Sequence, residues 1–225
     1  MGLAIHPLFT LPVGFGLLVL MPLLPRMGRG WPLVTAGLAV AAAVVAGFAP
    51  AYSADAPQRL NLQYVERDGR AVWRAGPVSV LPKDLAAYFP SAPGKDDYVA
   101  AAGRAHLAPP TARMAAGRLR ITGSAAADAF ILTVPQAAGL RAVEVAGKNY
   151  PPAATIILPA VPCPGRPCRM AEIGLSAARP FTLTLTEQRR GLPPEGSALL
   201  RARGDAAVPS RSGDRTEIIT EIRVP

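Results

Sequence analysis

The residues that could do chemistry in this sequence are few and widely spaced. Its 225 residues include two histidines, His6 and His106, and two cysteines, Cys163 and Cys168. Neither histidine belongs to a His-Glu-x-x-His zinc motif, and no Gly-x-Ser-x-Gly sequence marks a hydrolase nucleophile. We therefore predict that the chain carries no catalytic residue, no metal site and no cofactor site, and that it is not an enzyme on its own.

The carboxylates offer no convincing acid–base pair either. Asp96 and Asp97 are best explained as the anionic start of a helix, where negative charge is favourable. Glu217 and Glu221 lie four residues apart in a strand pattern, which places both on one solvated face. Asp214 ends a Ser-Arg-Ser-Gly-Asp segment, which is typical of a turn with side-chain capping.

The two cysteines enclose a short Cys-Pro-Gly-Arg-Pro-Cys segment. Pro-Gly favours a turn, and a turn here would bring the two sulfurs together. A zinc site needs about four ligands, and no histidine lies nearby. We therefore predict a Cys163–Cys168 disulfide, which would stabilise its loop more than the whole fold because the ring is small.

The elements that must position these residues are mostly short β-strands. Residues 58–65 alternate, with Leu60, Leu62 and Tyr64 on one side and polar residues on the other. Asp68-Gly69 indicates a hairpin, and Val72 is expected on the inner side of the returning strand. Eight or nine such strands, separated by Pro and Gly turns, predict an antiparallel, jelly-roll-like β-sandwich over residues 54–225.

A Pro/Ala-rich stretch at residues 76–116 interrupts this pattern. Strand periodicity is lost there, so we expect a long excursion packed over the sheet. Within it, residues 83–89 and 96–102 are expected to form single helical turns.

Residues 1–53 differ sharply from the rest because no Asp, Glu or Lys precedes Asp55. Two apolar runs, at about 7–25 and 31–52, are each long enough to cross a bilayer core of about 30 Å as helices. The loop 26–30 between them holds Arg26 and Arg29, which the positive-inside bias places in the cytoplasm. These features predict a transmembrane hairpin in a bacterial inner membrane, with a periplasmic domain at 54–225.

The same segment also fits a signal peptide. Its charged region would be Arg26 to Arg29, its apolar core residues 33–48, and its cleavage site Ala49-Pro50-Ala51. Both interpretations place the following domain outside the cytoplasm.

The part of the chain after residue 53 is basic. It holds 22 of the 24 Lys and Arg residues and all 15 acidic residues, which gives a net charge of +7. Such a charge is compatible with anionic lipid headgroups or acidic polymers, and equally with a GC-rich genome that favours Arg. No nucleic-acid-binding motif accompanies it, so nucleic acid is not an expected partner.

Three segments resemble one known protein family. They are Ala56-Pro-Gln-Arg-Leu-Asn-Leu-Gln-Tyr-Val65 after an apolar run, the Cys163–Cys168 motif, and Gly191-Leu-Pro-Pro-Glu-Gly196 with the later Val208–Asp214 segment. They resemble the C-terminal region of bacterial relatives of endoplasmic reticulum metallopeptidase-like proteins, in peptidase family twenty-eight. In that family a di-zinc aminopeptidase-type domain precedes several membrane helices and a β-rich tail. No residue here matches the family's zinc ligands.

The resemblance implies a non-catalytic, membrane-anchored C-terminal domain that positions or assembles with a peptidase domain on another chain. Its expected partners are the lipid bilayer and that di-zinc domain or subunit. The alternative is a stand-alone extracytoplasmic binding module for envelope or glycan components, by analogy with other β-sandwiches. A hydrolase built from Asp and Ser residues brought together by folding is the third hypothesis.

Overall fold

The structure is a computed structural model. In it the chain forms two compact units, residues 1–51 and 52–225. It describes the following residues: 37, 39–40, 52, 57–78, 80–90, 98–205 and 207–225. In the first unit, Gly37, Ala39 and Val40 are helical. The second unit is rich in β-strands and contains every element discussed below.

The predicted transmembrane hairpin is corrected by the structure. Within the described residues, no helix has both the length and the apolar character needed to cross a membrane. The predicted helices at 7–25 and 31–52 and the loop 26–30 fall almost entirely outside those residues. The fold class of hairpin plus β-domain, and the inner-membrane and periplasmic localisation derived from it, are therefore wrong. The physical reason is that apolar composition favours burial from water without specifying a continuous helix.

The helices that the second unit does show are short. They are α1 (Lys83–Ala86) and α2 (Ser197–Arg203), with 3-10 turns at Gln136–Ala138 and Pro194–Gly196. The remaining regular elements are strands: β1 (Gln58–Arg59), β2 (Asn61–Arg67), β3 (Arg70–Gly76), β4 (Tyr98–Ala102), β5 (Thr111–Ala115), β6 (Arg118–Ser124), β7 (Ala127–Thr133), β8 (Leu140–Val145), β9 (Lys148–Tyr150), β10 (Thr155–Pro159), β11 (Val161–Pro162), β12 (Cys168–Ala177), β13 (Phe181–Arg190), β14 (Ala207–Val208) and β15 (Arg215–Val224).

Two main sheets face each other. The larger has seven strands in the order β10-β7-β13-β15-β2-β3-β4, and the smaller has six, in the order β5-β6-β12-β8-β9 with β11 beside β12. Within these two sheets the described neighbours are antiparallel except that β15 runs parallel to β2, and β1 and β14 form a separate parallel pair. The β-rich character is as predicted, but the prediction of a purely antiparallel arrangement is wrong. Strand alternation cannot show this, because it is the same in parallel and antiparallel pairs.

One core lies between the two sheets. Side chains from β7 and β13 on the large sheet meet side chains from β6 and β12 on the small one. The fully buried members are Leu119, Ile121, Phe130, Leu132, Ile173, Leu183 and Leu185. Burying each such side chain is worth about 1.5–3 kcal/mol.

A second core covers the other half of the same face of the large sheet. There β2, β3 and β4 pack against α1, α2 and the segments around them. Its buried large side chains are Leu60, Leu62, Tyr64, Trp73, Leu85, Phe89 and Leu199. The rings of Tyr64 and Trp73 lie 4.9 Å apart between centroids, at a tilt of 60°. The large sheet is thus covered on one face by two different layers, and no described helix or strand covers its other face, which we call the open face.

Two local predictions are wrong. Ala71, Trp73 and Ala75 are the buried residues of β3, so Val72 points to the open face. The larger Trp73 determines which side of the strand is inner, because it buries more apolar surface. Residues 98–102, expected in a helical turn, form β4 because pairing with β3 outweighs the helix propensity of their alanines.

Candidate anion-binding site

The predicted disulfide is confirmed. Cys163 and Cys168 are bonded, with their Cα atoms 5.3 Å apart. The Cys163 amide also donates to the Cys168 carbonyl at 2.9 Å, so the bridge closes the turn between β11 and β12. Among the other singled-out residues, His106 lies exposed in the loop after β4, and His6, Asp96 and Asp97 lie outside the described residues.

The strand register aligns three arginines across the open face of the large sheet. Arg190 of β13 is opposite Arg215 of β15, which is beside Gln63 of β2, which is opposite Arg74 of β3. Successive residues of a strand point to opposite faces of the sheet. The chain neighbours of these four residues point to the covered face, so the four residues themselves point to the open face; the neighbours are Arg189, Thr216, Tyr64 and Trp73. We call Arg190, Arg215, Gln63 and Arg74 the arginine row. At about 4.8 Å per strand, it extends roughly 14 Å.

The charges of the arginine row are only partly balanced. The Arg190 Nε donates to Asp128 Oδ2 at 2.5 Å, while the Arg190 side chain remains 88% exposed. The Arg215 Nη2 donates to the Ser212 carbonyl at 3.4 Å. Arg74 is exposed and forms no ion pair within the described part of the chain. Like charges directly opposite each other destabilise a sheet, so sheet stability does not explain placing Arg190 against Arg215.

A loop at residues 209–214 adjoins the arginine row, and Asn61 fixes it there. We call this segment the serine loop. The Asn61 side-chain amide donates to the hydroxyls of Ser210 and Ser212, each at 2.8 Å, and accepts from the Ser210 backbone amide at 2.8 Å. The two serine hydroxyls are 2.9 Å apart. The Arg59 Nη1 also donates to the Pro209 carbonyl at 3.2 Å.

A nearly buried ion pair holds the end of the serine loop. The Arg203 Nη1 donates to both carboxylate oxygens of Asp214, at 2.7 and 2.8 Å, and the two side chains are only 12% and 9% exposed. The Leu62 amide donates to the same carboxylate at 2.9 Å. Asp214 therefore has its charge compensated and its position fixed. The sequence pattern predicts a turn at Asp214 but does not identify Arg203 as its partner.

Arg203 was not recognised as the partner of Asp214 because helix α2, which carries it, was not predicted. A sequence signal for this helix exists, since Ser197–Arg203 holds Ala, Leu and Arg between Gly196 and Gly204. Good helix formers bounded by glycines are typical of a short helix.

A cavity of about 600 Å³ lies between the serine loop and the end of β13. Its lining residues are Asp128, Arg190, Gly191, Arg211, Ser212, Gly213 and Asp214. Asp214 is balanced by Arg203 and Asp128 by Arg190, so the exposed Arg211 supplies an uncompensated positive charge. The cavity shares Arg190 with the arginine row, so both belong to one basic surface.

Two further polar clusters serve the fold. Glu187 is fully buried, accepts from Arg189 Nε at 2.7 Å and lies 2.6 Å from the Ser124 hydroxyl, which links the two sheets. The Tyr64 hydroxyl donates to Glu66 at 2.8 Å and accepts from the Ala105 amide at 2.8 Å. The pKa of Tyr64 is raised to about 12, chiefly by burial and also by the neighbouring Glu66, while the hydrogen bond from the Ala105 amide acts in the opposite direction. Tyr64 therefore remains a neutral hydrogen-bonding group at physiological pH.

The comparisons with known proteins give no relative for this chain. No protein-family model, curated protein or solved structure matches it. The resemblance to the metallopeptidase tail therefore stays a prediction, and the function must be argued from the site itself.

Proposed function

We propose that the unit at residues 52–225 is a non-catalytic binding module for a linear polyanion, which lies along the arginine row. The observation that supports this is the strand register, which lines up three guanidinium groups on the open face of one sheet. Guanidinium groups bind carboxylates and phosphates with two parallel hydrogen bonds. A sheet also fixes the spacing of these groups in advance, which lowers the entropic cost of binding.

The expected affinity is modest, because Arg74 and Arg190 are exposed to solvent and Arg215 is half-buried. One exposed ion pair is worth about 0.2–1 kcal/mol. Three of them would contribute roughly 0.6–3 kcal/mol, which is about threefold to 150-fold in affinity. A ligand with repeated charges can use all three at once, whereas a single small anion can use only one or two.

Assembly with a peptidase domain is the weaker proposal. It depends on the sequence resemblance, and the described residues show no feature that favours it over binding at the arginine row. It also gives no reason for Arg190 and Arg215 to stand directly opposite each other.

The proposal can be tested by titrating the full chain with three polyanions of different chemistry: poly-L-glutamate, sodium polyphosphate and polygalacturonate. Isothermal titration calorimetry at about 50 mM and about 300 mM salt should show binding that weakens as screening increases. An Arg74→Gln, Arg215→Gln double variant should bind roughly 2- to 30-fold more weakly, because it loses two ion pairs with the ligand at solvent-accessible positions.

Arg141→Gln is the matched control. Arg141 is exposed on β8 of the other sheet, and it forms no ion pair in the described part of the chain. This variant should bind like the natural chain. Equal affinity of the double variant and the control would refute the proposed function.

A further inference from the structure

We propose that the polyanion is an acidic glycan, and that the cavity beside the arginine row takes the hydroxyl groups of one of its sugar rings. This inference rests on the proposed function and narrows it to one ligand class. The cavity lining differs in chemistry from the arginine row. The arginines of the row offer only hydrogen-bond donors, whereas the cavity offers acceptors as well.

Asp128 supplies the free acceptor. Its Oδ2 accepts from Arg190, while its Oδ1 accepts no hydrogen bond from the described residues. The Asp128 side chain is 40% exposed, so a ligand in the cavity can reach it. A carboxylate oxygen readily accepts a hydrogen bond from a sugar hydroxyl.

The same carboxylate discriminates against polyanions that carry no hydroxyl group, because only a hydroxyl offsets its repulsion with a hydrogen bond. Phosphate chains have no hydroxyl to donate along their length, and their negative charge is repelled by Asp128 at short range. A uronic acid polymer instead carries one carboxylate and several hydroxyls on each ring. Its carboxylates match Arg211 and the arginine row, and its hydroxyls match Asp128 and Ser212.

The size and the rest of the lining fit this ligand class. About 600 Å³ lies within the usual range of 300–1,000 Å³ for small-ligand sites. The lining holds no aromatic ring, so recognition depends on charge and hydrogen bonds, and neutral glycans should bind poorly.

The test compares polygalacturonate with sodium polyphosphate on the full chain and on an Asp128→Ala variant, which has no side-chain acceptor. The natural chain should prefer polygalacturonate. The substitution should weaken polygalacturonate relative to polyphosphate roughly three- to tenfold, because it removes the acceptor that the sugar hydroxyl uses, whereas the loss of the negative charge acts on both polymers. Thermal unfolding would verify that the variant is folded.

Glu172→Ala is the control, because Glu172 forms a comparable, partly exposed pair with Arg120 on the other sheet. It should leave the ratio of the two affinities unchanged. If neither polymer binds, the proposed function itself fails. If both bind equally, and Asp128→Ala affects them alike, the surface is an unselective polyanion site and the glycan inference is overturned while the proposed function stands. A preference for polyphosphate would overturn the inference as well.

Discussion

Replacing Arg203 by Met should destabilise the fold strongly, because it would leave the Asp214 carboxylate nearly buried without its cation. Removing one partner of a buried ion pair costs about 3–5 kcal/mol. Asp214 keeps the hydrogen bond from the Leu62 amide at 2.9 Å, so we expect the lower end, about 3 kcal/mol. Met fills a similar volume, so the change in packing should contribute little.

Urea unfolding, followed by circular dichroism, measures this loss. With a slope of about 1–3 kcal/mol/M for a protein of this class, the midpoint should fall by roughly 1–3 M. Arg120→Met is the matched control, because Arg120 pairs with Glu172 at 2.8 Å while the two side chains are 54% and 34% exposed. It should cost less than about 1 kcal/mol.

A double variant separates the charge effect from the loss of contacts. Adding Asp214→Asn to Arg203→Met removes the uncompensated charge, so the double variant should recover part of the lost stability. If Arg203→Met costs no more than Arg120→Met, the carboxylate is well solvated in solution and the reasoning from burial is refuted.

Three further changes probe the fold elsewhere. Tyr64→Phe should reduce the loss of stability at alkaline pH, measured by urea unfolding between pH 9 and 11.5. The folded pKa of about 12 exceeds the ordinary value of 10.0, so the contribution of Tyr64 to stability is fully present below pH 10 and is lost as the pH rises toward 12. The whole of that contribution is roughly 2–3 kcal/mol. Cys163→Ser should lower the free energy of unfolding by about 2 kcal/mol or less, which is the chain-entropy value for so small a ring. The natural chain with reductant should unfold at the same temperature as the Cys163→Ser variant. Gly123→Ala should cost about 1–3 kcal/mol, because its Cβ would lie 2.7 Å from Phe130 Cε1, whereas Gly103→Ala meets nothing within 4 Å and should be near neutral by the same assay.

Features encoded in a few neighbouring residues could be predicted from the sequence. The alternation of Leu60, Leu62 and Tyr64 identified a half-buried strand, and all three are fully buried. The Pro-Gly turn between the two cysteines predicted their disulfide, and the structure confirms it. These predictions succeed because a strand and a six-residue ring depend on local geometry.

The candidate site could not be predicted, because it depends on the strand register. Arg190 and Arg74 are 116 positions apart along the chain, and they share a row only because β15 inserts between β13 and β2. The membrane-hairpin prediction for residues 1–53 was wrong for a different reason. It depended on their one-sidedly apolar composition, and composition alone does not determine secondary structure.

The position of β15 also determines when this unit can fold. Among the described strands it alone joins β10-β7-β13 to β2-β3-β4, and its partner residues on β2 precede it by about 150 positions. During synthesis the two half-sheets must therefore wait, each with an unpaired edge, until residues 215–224 have left the ribosome. Pairing of such high contact order is slow. We expect nascent chains to be most vulnerable to aggregation and to proteases just before β15 emerges.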